Sequence, residues 1–423
     1  MFDLPRIRAL LDSRLPGHTL PQDFYTDPGI FEFDLEAIHS RSWILVGLEA
    51  ELPSPGSYLA TTIGRSPVVV VRDHDGTLRG FYNTCRHRGA QICETGRGSK
   101  ARLTCPYHQW TYRLDGSLQA AGRMQDTFDA TGIHLQRVHL ESVAGSIYVC
   151  LADEPPHFPE FRDRLTPLLA PHHLANAKLA HESTLVERAN WKLVMENARE
   201  CYHCAARHPS LSVPFPVRRG SRLRESPVIR QFEARMAAAG LPVGPVEGEW
   251  WQASRFPLNE GCVSLTGDGK PCVSKRMCEL AGGDVGSLRW AIDPHSFCHA
   301  LGDYLVMFSA MPTGPQETIV TCKWFVHKDA VEGTHYTVEG LTKLWTETNL
   351  QDRDLAENNQ RGVNGRGYRP GPYSHEAEAL VMRLVDWYCA KARSYLDESA
   401  AKTLGDTARS QRHPEKRLAR AVG

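Results

Sequence analysis

The pattern of hydrophobic and polar positions changes character along the chain. From Trp43 to about Ala152, short β-branched runs such as Pro67–Val71 are separated by turn signals at Pro53-Ser-Pro-Gly, Asp73-His-Asp-Gly, Leu114-Asp-Gly and Ala144-Gly. Short apolar runs punctuated in this way predict strands joined by tight turns, so this stretch is expected to be a small all-β domain. Asp153-Glu-Pro-Pro-His-Phe-Pro follows, and its adjacent prolines forbid helix continuation and offer no ladder hydrogen bonds, which marks a linker. Beyond it, helical periods over about 186–207 and 335–361 alternate with strand-like runs at Asp303–Ala310 and Thr318–Phe325, the signature of an α+β domain. The expected organisation is a helical segment over 1–42 packed on the larger domain, a β domain over 43–155, an α+β domain over 156–400 and a mobile tail over 401–423. The tail carries Arg409, Arg412, Lys416, Arg417 and Arg420 with few apolar anchors.

A chain of 423 residues exceeds the usual limit of a single core, which agrees with two domains. Lys and Arg (49) balance Asp and Glu (49), leaving no electrostatic drive toward nucleic acid or an anionic membrane. The N-terminus, Met1-Phe-Asp-Leu-Pro-Arg-Ile-Arg, breaks any signal-like apolar stretch with charges, and no apolar run approaches the ~18 residues that span a bilayer. A cytoplasmic protein is expected. Its twelve cysteines then argue for reduced thiols, some of them metal ligands, rather than a disulfide framework. Neither a strand-associated G-x-G-x-x-G nor a G-x-x-x-x-G-K-[ST] is present, so any redox nucleotide must be handled by another protein.

Within the β domain stand Cys85-Arg-His87-Arg-Gly and Cys105-Pro-Tyr-His108-Gln-Trp. Two thiolates and two imidazoles could bind tetrahedral zinc, but zinc sites pair like with like in C-x₂₋₄-C and H-x₃₋₅-H, whereas each loop here offers one Cys and one His. That mixed arrangement suits a [2Fe–2S] cluster with one iron held by Cys85 and Cys105 and the other by His87 and His108. Neutral imidazoles raise the potential of such a cluster, so it can accept electrons from an all-cysteine ferredoxin. Cys93, between the loops, has no place in the pattern and is expected to be a buried thiol.

The second constellation begins at Asn190-Trp-Lys-Leu-Val-Met-Glu196-Asn-Ala-Arg-Glu200-Cys-Tyr-His203, which reads as one helix with an Asn cap and with Glu196, Glu200 and His203 on a shared face. For the two glutamates, a solvated face is the plain alternative. His208 would lie roughly 140° around a continuing helix from His203, so the two can share an ion only if the helix ends between them, and Pro209 supplies that end. Two such histidines and a carboxylate would form a facial triad for Fe(II) with positions left for O₂. On the helix over about 337–360, with roughly 100° per residue and Leu341 as zero, Val338, Trp345, Thr348, Asp352 and Leu355 fall within about 60°. Asp352 therefore projects from the apolar face, where a carboxylate needs a metal or hydrogen bonds, whereas Asp354 faces solvent. Cys201-Tyr-His-Cys204 is a C-x-x-C that could be a redox dithiol or join a zinc site, a weak signal without a thioredoxin-like βαβ context.

Both constellations together resemble the large subunit of Rieske non-haem iron oxygenases, from about Leu20 to Tyr388. The motif N-W-K-x₃-E-N-x₂-E-x₂-H-x₄-H-P and Gln351-Asp352-x₄-Glu357 carry the likeness in the second half. The resemblance implies a Rieske domain followed by a helix-grip-like domain with an antiparallel sheet, with His203, His208 and Asp352 as ligands of a mononuclear iron. It also gives a role to Glu200: bridging His203 of one subunit to His108 of its neighbour, which implies a homotrimer. Family members usually have Asp there, and the longer Glu looks like the subgroup acting on quaternary ammonium compounds. Glu200-Cys-Tyr-His-Cys, Val326-His-Lys-Asp-Ala-Val-Glu-Gly, Asn359-Gln-Arg-Gly-Val-Asn and Pro370-Gly-Pro-Tyr-Ser resemble glycine betaine and proline betaine demethylases. That likeness implies hydroxylation of an N-methyl group with release of formaldehyde, fed with electrons by an NAD(P)H-dependent flavin and ferredoxin-type reductase. A carnitine-type oxygenase or an aromatic ring-hydroxylating dioxygenase remains the alternative. A methylated cation calls for an aromatic cage, with Trp251, Trp290, Phe297, Tyr304 and Phe308 as candidates, and an Arg for a substrate carboxylate.

Overall fold

The computed structural model describes residues 2–217 and 227–412, with side chains as far as Lys402. The chain opens with α1 (Leu4–Asp12), α2 (Asp23–Thr26), α3 (Pro28–Asp34) and a π-helical turn at Leu35–His39. Pro28 starts α3 where a missing N–H costs nothing, and the Asp27 side chain accepts from the N–H groups of Gly29 and Ile30.

The β domain has ten strands: β1 (Ile44–Leu48), β2 (Ser57–Ile63), β3 (Ser66–Arg72), β4 (Leu78–Tyr82), β5 (Gly96–Ser99), β6 (Leu103–Thr104), β7 (Thr111–Tyr112), β8 (Leu118–Ala120), β9 (His139–Val143) and β10 (Ser146–Cys150). They form sheets of order β1-β10-β9, β4-β3-β2-β5 and β6-β7-β8. β1 pairs antiparallel with β10, so the chain enters and leaves the domain side by side. The valine run of β3 is buried on both faces. Val69 and Val71 join Tyr58 and Phe81, and Val68 and Val70 join Leu59 and Ile147. Burial on both sides explains a continuous apolar run where a half-exposed strand would alternate.

After an irregular stretch come α4 (Pro159–Leu169), β11 (Ala177–Glu187), α5 (Trp191–Asn197), α6 (Cys204–Arg207), α7 (Pro227–Ala238), β12 (Val246–Glu247), β13 (Trp251–Phe256), β14 (Ser287–Ile292), β15 (Ser296–Ala300), β16 (Leu305–Gly314), β17 (Glu317–His327), α8 (Val338–Val363) and α9 (Ala379–Arg412). The seven strands form one sheet of order β11-β17-β16-β15-β14-β13-β12. Alternation along the strands divides its side chains. Trp251, Trp290, Cys298 and Met307 face a core shared with α5, α9 and the N-terminal helices. Val306, Phe308, Cys322 and Trp324 face Leu341, Leu344 and Trp345 of α8. A long helix laid across an antiparallel sheet is the helix-grip-like arrangement that the family resemblance implied.

Two expectations are corrected. The helix expected over 186–207 is instead the end of β11, the short α5, a turn and the single-turn α6. The helical bond that would join Tyr202 N–H to the Ala198 carbonyl is replaced at both ends. Arg289 Nη2 donates to Ala198 O (3.0 Å), and the Glu200 carboxylate accepts from Tyr202 N–H. Arg199 is also drawn out of helical register to Asp293 Oδ1, 2.8 Å away. The tail expected over 401–423 is helical through Arg412 as part of α9, while 413–423 lie outside the described residues. Among the described residues no helix is long and apolar enough to cross a membrane.

Candidate metal centres

The two loops of the β domain repeat one geometry. Cys85 and Cys105 are buried at 2% exposure each, while His87 and His108 stand at the surface. Gly89 N–H donates to Cys85 O and Gln109 N–H to Cys105 O, and both residues, four beyond their cysteine, have positive φ (78° and 60°). Each cysteine N–H is in turn tied to the far side of its loop, Cys85 to Ala90 O and Cys105 to Trp110 O. The imidazoles of His87 and His108 lie with ring centres 4.7 Å apart, and His87 stacks on Trp110 at 4.8 Å. Two buried thiols beneath two adjacent imidazoles match the donor set that a mixed-ligand [2Fe–2S] cluster requires. Sequence reasoning missed Tyr112, whose hydroxyl lies 3.3 Å from Cys85 Sγ and accepts from Arg86 N–H. Cys93 is a buried thiol, pushed up to about 11 by burial.

The second centre forms where α6 meets α8. His203 precedes α6 and His208 ends it, so the helix both starts and stops between the two rings, as sharing an ion requires. Their Nε2 atoms are 3.0 Å apart. Asp352 Oδ1 lies 3.2 Å from the first and 3.0 Å from the second. Each Nδ1 is engaged, His203 with Glu200 Oε1 (2.5 Å) and His208 with Gln351 Oε1 (2.7 Å). Carboxylate and amide oxygens can only accept there, so Nδ1 carries the proton and each Nε2 directs a lone pair at the other and at Asp352. Asp352 Oδ1 is buried without a hydrogen bond. Three facing acceptors without a proton between them need a cation, and a two-His, one-carboxylate set suits Fe(II) with open positions. Burial opposes positive charge on His203, yet Asp352 and Glu200 outweigh it and raise its pKa to about 9, so without a metal a second proton on this ring is the cation between the acceptors, and a bound iron would displace it. Asp354 is exposed and pairs with Arg353, as its place on the helix predicted.

Other expectations fare differently. Glu196 and Glu200 do not share a helical face. Glu196 is buried and accepts from the Tyr25 and Tyr373 hydroxyls, both at 2.9 Å, so the solvated-face alternative fails for it. Burial, only partly offset by those two donors, lifts its carboxyl to about 7. Cys201 and Cys204, expected as reduced thiols, form a disulfide that closes the turn around His203. The cage candidates separate: Trp251 and Trp290 lie in the core on the far side of the sheet, while Tyr304 is buried with its hydroxyl on Leu265 O. Phe297 and Phe308 stack at 4.4 Å on the face toward α8. Gln351 was part of the Gln351-Asp352-x₄-Glu357 motif, but its role behind His208 had no signal in the sequence.

Comparison with known proteins agrees with this geometry. Residues 42–135 match the Rieske [2Fe-2S] domain family and residues 174–394 the catalytic domain of the ring hydroxylating alpha subunit. The chain is 44% identical over 398 residues to the glycine betaine monooxygenase oxygenase subunit of Chromohalobacter salexigens, covering 92% of this chain and 89% of that one. It is 41% identical over 401 residues to the counterpart in Pseudomonas aeruginosa, covering 93% of each. The carnitine monooxygenase oxygenase subunit of Escherichia coli is 36% identical over 208 residues, 48% of this chain and 55% of its own. Among solved structures, the quaternary ammonium Rieske monooxygenase CntA with L-carnitine superposes with a TM-score of 0.67 at 22% identity, over 91% of this chain and 97% of that one. The naphthalene 1,2-dioxygenase of a Rhodococcus species shares the fold at a TM-score of 0.65 and 18% identity, over 92% and 98% of the two chains. The chain thus belongs to the Rieske non-haem iron oxygenases, as an oxygenase subunit with a [2Fe–2S] Rieske domain and a mononuclear iron catalytic domain.

Proposed function

We propose that this oxygenase hydroxylates an N-methyl group of glycine betaine or a close quaternary ammonium carboxylate, receiving electrons from a separate NAD(P)H-dependent flavin and ferredoxin-type reductase. The observation that carries the chemistry is the pair of Nε2 atoms 3.0 Å apart, facing Asp352 with both Nδ1 positions already taken. The identity to glycine betaine monooxygenase oxygenase subunits supports the substrate class.

On this reading His203, His208 and Asp352 hold the mononuclear iron, while Cys85, Cys105, His87 and His108 hold the cluster. The irons supply one-electron transfer and O₂ activation when bound. Gln351 and Glu200 fix the ring orientations of the two histidines by accepting from Nδ1–H. Glu200 has a second task, linking His203 to His108 of a neighbouring copy in a homotrimer. Its Oε2 is steadied by Tyr202 N–H, so the carboxylate stays in place while Oε1 holds the His203 proton.

One atom of O₂ enters an N-methyl C–H bond and the other leaves as water, with two electrons and two protons supplied from outside. The resulting carbinolamine breaks its C–N bond to release formaldehyde, a proton and the dimethylated amine. The test is turnover with reductase, NAD(P)H, O₂ and glycine betaine. Formaldehyde and dimethylglycine are expected in equal amounts. Hydroxylated aromatic products, with no formaldehyde from any quaternary amine, would overturn the assignment.

A further inference from the structure

We propose that Arg289 anchors the substrate carboxylate, with Phe297, backed by the buried Phe308 and Trp345, as the apolar wall against the trimethylammonium group. This rests on the reading of the protein as a quaternary ammonium carboxylate oxygenase.

Arg289 lies on β14 opposite His299 of β15 and Ser254 of β13, on the sheet face that meets α8. In the burial patterns of β14 and β15 only one position each retains accessible surface, Arg289 and Phe297. Both belong to that same face. In β13 the three partly accessible positions, Gln252, Ser254 and Phe256, share it as well. Openness on one face of strands otherwise buried marks a recess, with Arg289 in its wall. The guanidinium lies over Phe297, 5.3 Å from the ring centre, and donates to Ala198 O in the turn that leads to Glu200 and His203.

The charges around the recess do not balance. Burial, reinforced by repulsion from the nearby Arg199, lowers Arg289 to about 9. Asp293 attracts Arg289 but is held at 2.8 Å by Arg199. Among the described residues no carboxylate stands within ion-pair distance of Arg289. A half-buried guanidinium with spare donors favours a planar carboxylate, which it can grip with two parallel bonds.

Beside it stands an aromatic wall. Phe297 stacks on Phe308 at 4.4 Å, Trp345 meets Phe308 at 5.0 Å, and His299 stacks on Trp345 at 5.4 Å. His299 is held neutral by burial and by Arg289, with Nδ1 2.8 Å from Ser287 Oγ, so it packs behind the wall without adding a charge. Trp345 and Asp352 are seven residues apart on α8, two turns along one face, or roughly 10 Å. The wall therefore continues from the iron ligands rather than forming a separate site. A zwitterion with its carboxylate on Arg289 can set its methyl groups against Phe297, the ring of this cluster that retains accessible surface, where cation–π attraction replaces the hydrogen bonds that a quaternary nitrogen cannot make.

The test uses iron-loaded, cluster-containing enzyme without reductant, titrated calorimetrically with glycine betaine and with tetramethylammonium, which lacks the carboxylate. Arg289→Met and Arg289→Lys are compared after their cluster spectrum, iron content and assembly mass are matched to wild type. Arg289→Met is expected to weaken glycine betaine binding by about 100-fold and tetramethylammonium by less than about threefold. Arg289→Lys is expected to fall between, because a point charge loses the bidentate grip. Equal weakening of both ligands, or unchanged glycine betaine affinity, overturns the assignment. Wild-type enzyme that binds neither ligand overturns the proposed function along with it, whereas wild-type turnover with indifferent variants removes Arg289 alone.

Discussion

Gln351 Oε1 accepts from His208 Nδ1 at 2.7 Å, so the residue immediately before Asp352 orients the histidine that Asp352 joins at the centre. One short stretch of α8 therefore supplies both a proposed ligand and the brace of another. Losing a hydrogen bond behind a metal-binding imidazole typically costs 10–100-fold in metal affinity. Gln351→Leu is expected to lower mononuclear iron occupancy by that order, read by metal analysis, with the visible spectrum of the cluster unchanged.

Asp352→Ala removes the carboxylate that faces both Nε2 atoms. The variant is expected to lose mononuclear iron and product formation while keeping two iron atoms and two sulfides per chain. Full activity in this variant would show that the third ligand lies elsewhere.

Glu200→Gln keeps an acceptor for His203 Nδ1 but removes the charge. Both metal centres are expected to load, while single-turnover transfer of an electron from the reduced cluster to the mononuclear iron slows by at least about 100-fold. Glu200→Asp, the shorter side chain usual in the wider family, is expected to lie between the two. An unchanged transfer rate in Glu200→Gln would remove the bridging role.

The Tyr112 hydroxyl beside Cys85 Sγ stabilises added electron density on that sulfur. Tyr112→Phe is expected to lower the cluster potential. A lost hydrogen bond to a charged group is worth about 1.5 kcal/mol, on the order of 60 mV for one electron, which protein-film voltammetry would resolve.

Glu196 gives stability a pH dependence of known sign. Its folded pKa, about 7, lies above the ordinary 4.5, so its contribution is complete below pH 4.5. Between there and pH 7 the unfolded chain gives up the proton that the folded chain keeps, and stability falls by about 3 kcal/mol as pH rises before levelling off. In Glu196→Gln that decline is expected to disappear from the pH profile of the urea midpoint. A profile identical to wild type would refute the raised pKa.

Much of the candidate chemistry was legible in the chain. Each loop of the β domain carries its Cys and His within four consecutive residues, so chelation there is a local property. His208-Pro209 ends α6 by a steric rule that involves only neighbours. The separation of Asp352 from Asp354 followed from helical period alone, because α8 is long, capped by Thr337 and regular. Where the local signal and the tertiary contacts disagreed, the contacts prevailed. Asn190 to His203 has a helical pattern, yet the helix stops after Asn197 because Arg289 and Glu200 take the two backbone groups that would have continued it.

By itself, then, the sequence determined the division into a β and an α+β region, the two Cys/His loops proposed to hold the cluster, and the face of α8 from which Asp352 projects. These depend on spacing over a few residues. Only the tertiary structure decided that Glu196 is buried against Tyr25 and Tyr373, that Gln351 braces His208 across 143 residues of chain, and that Arg289 stands over Phe297 with no carboxylate among the described residues within ion-pair distance. Those relations join residues that no local period links. Packing alone brings them within a few ångströms, and there removal from water and proximity set the charge of each group.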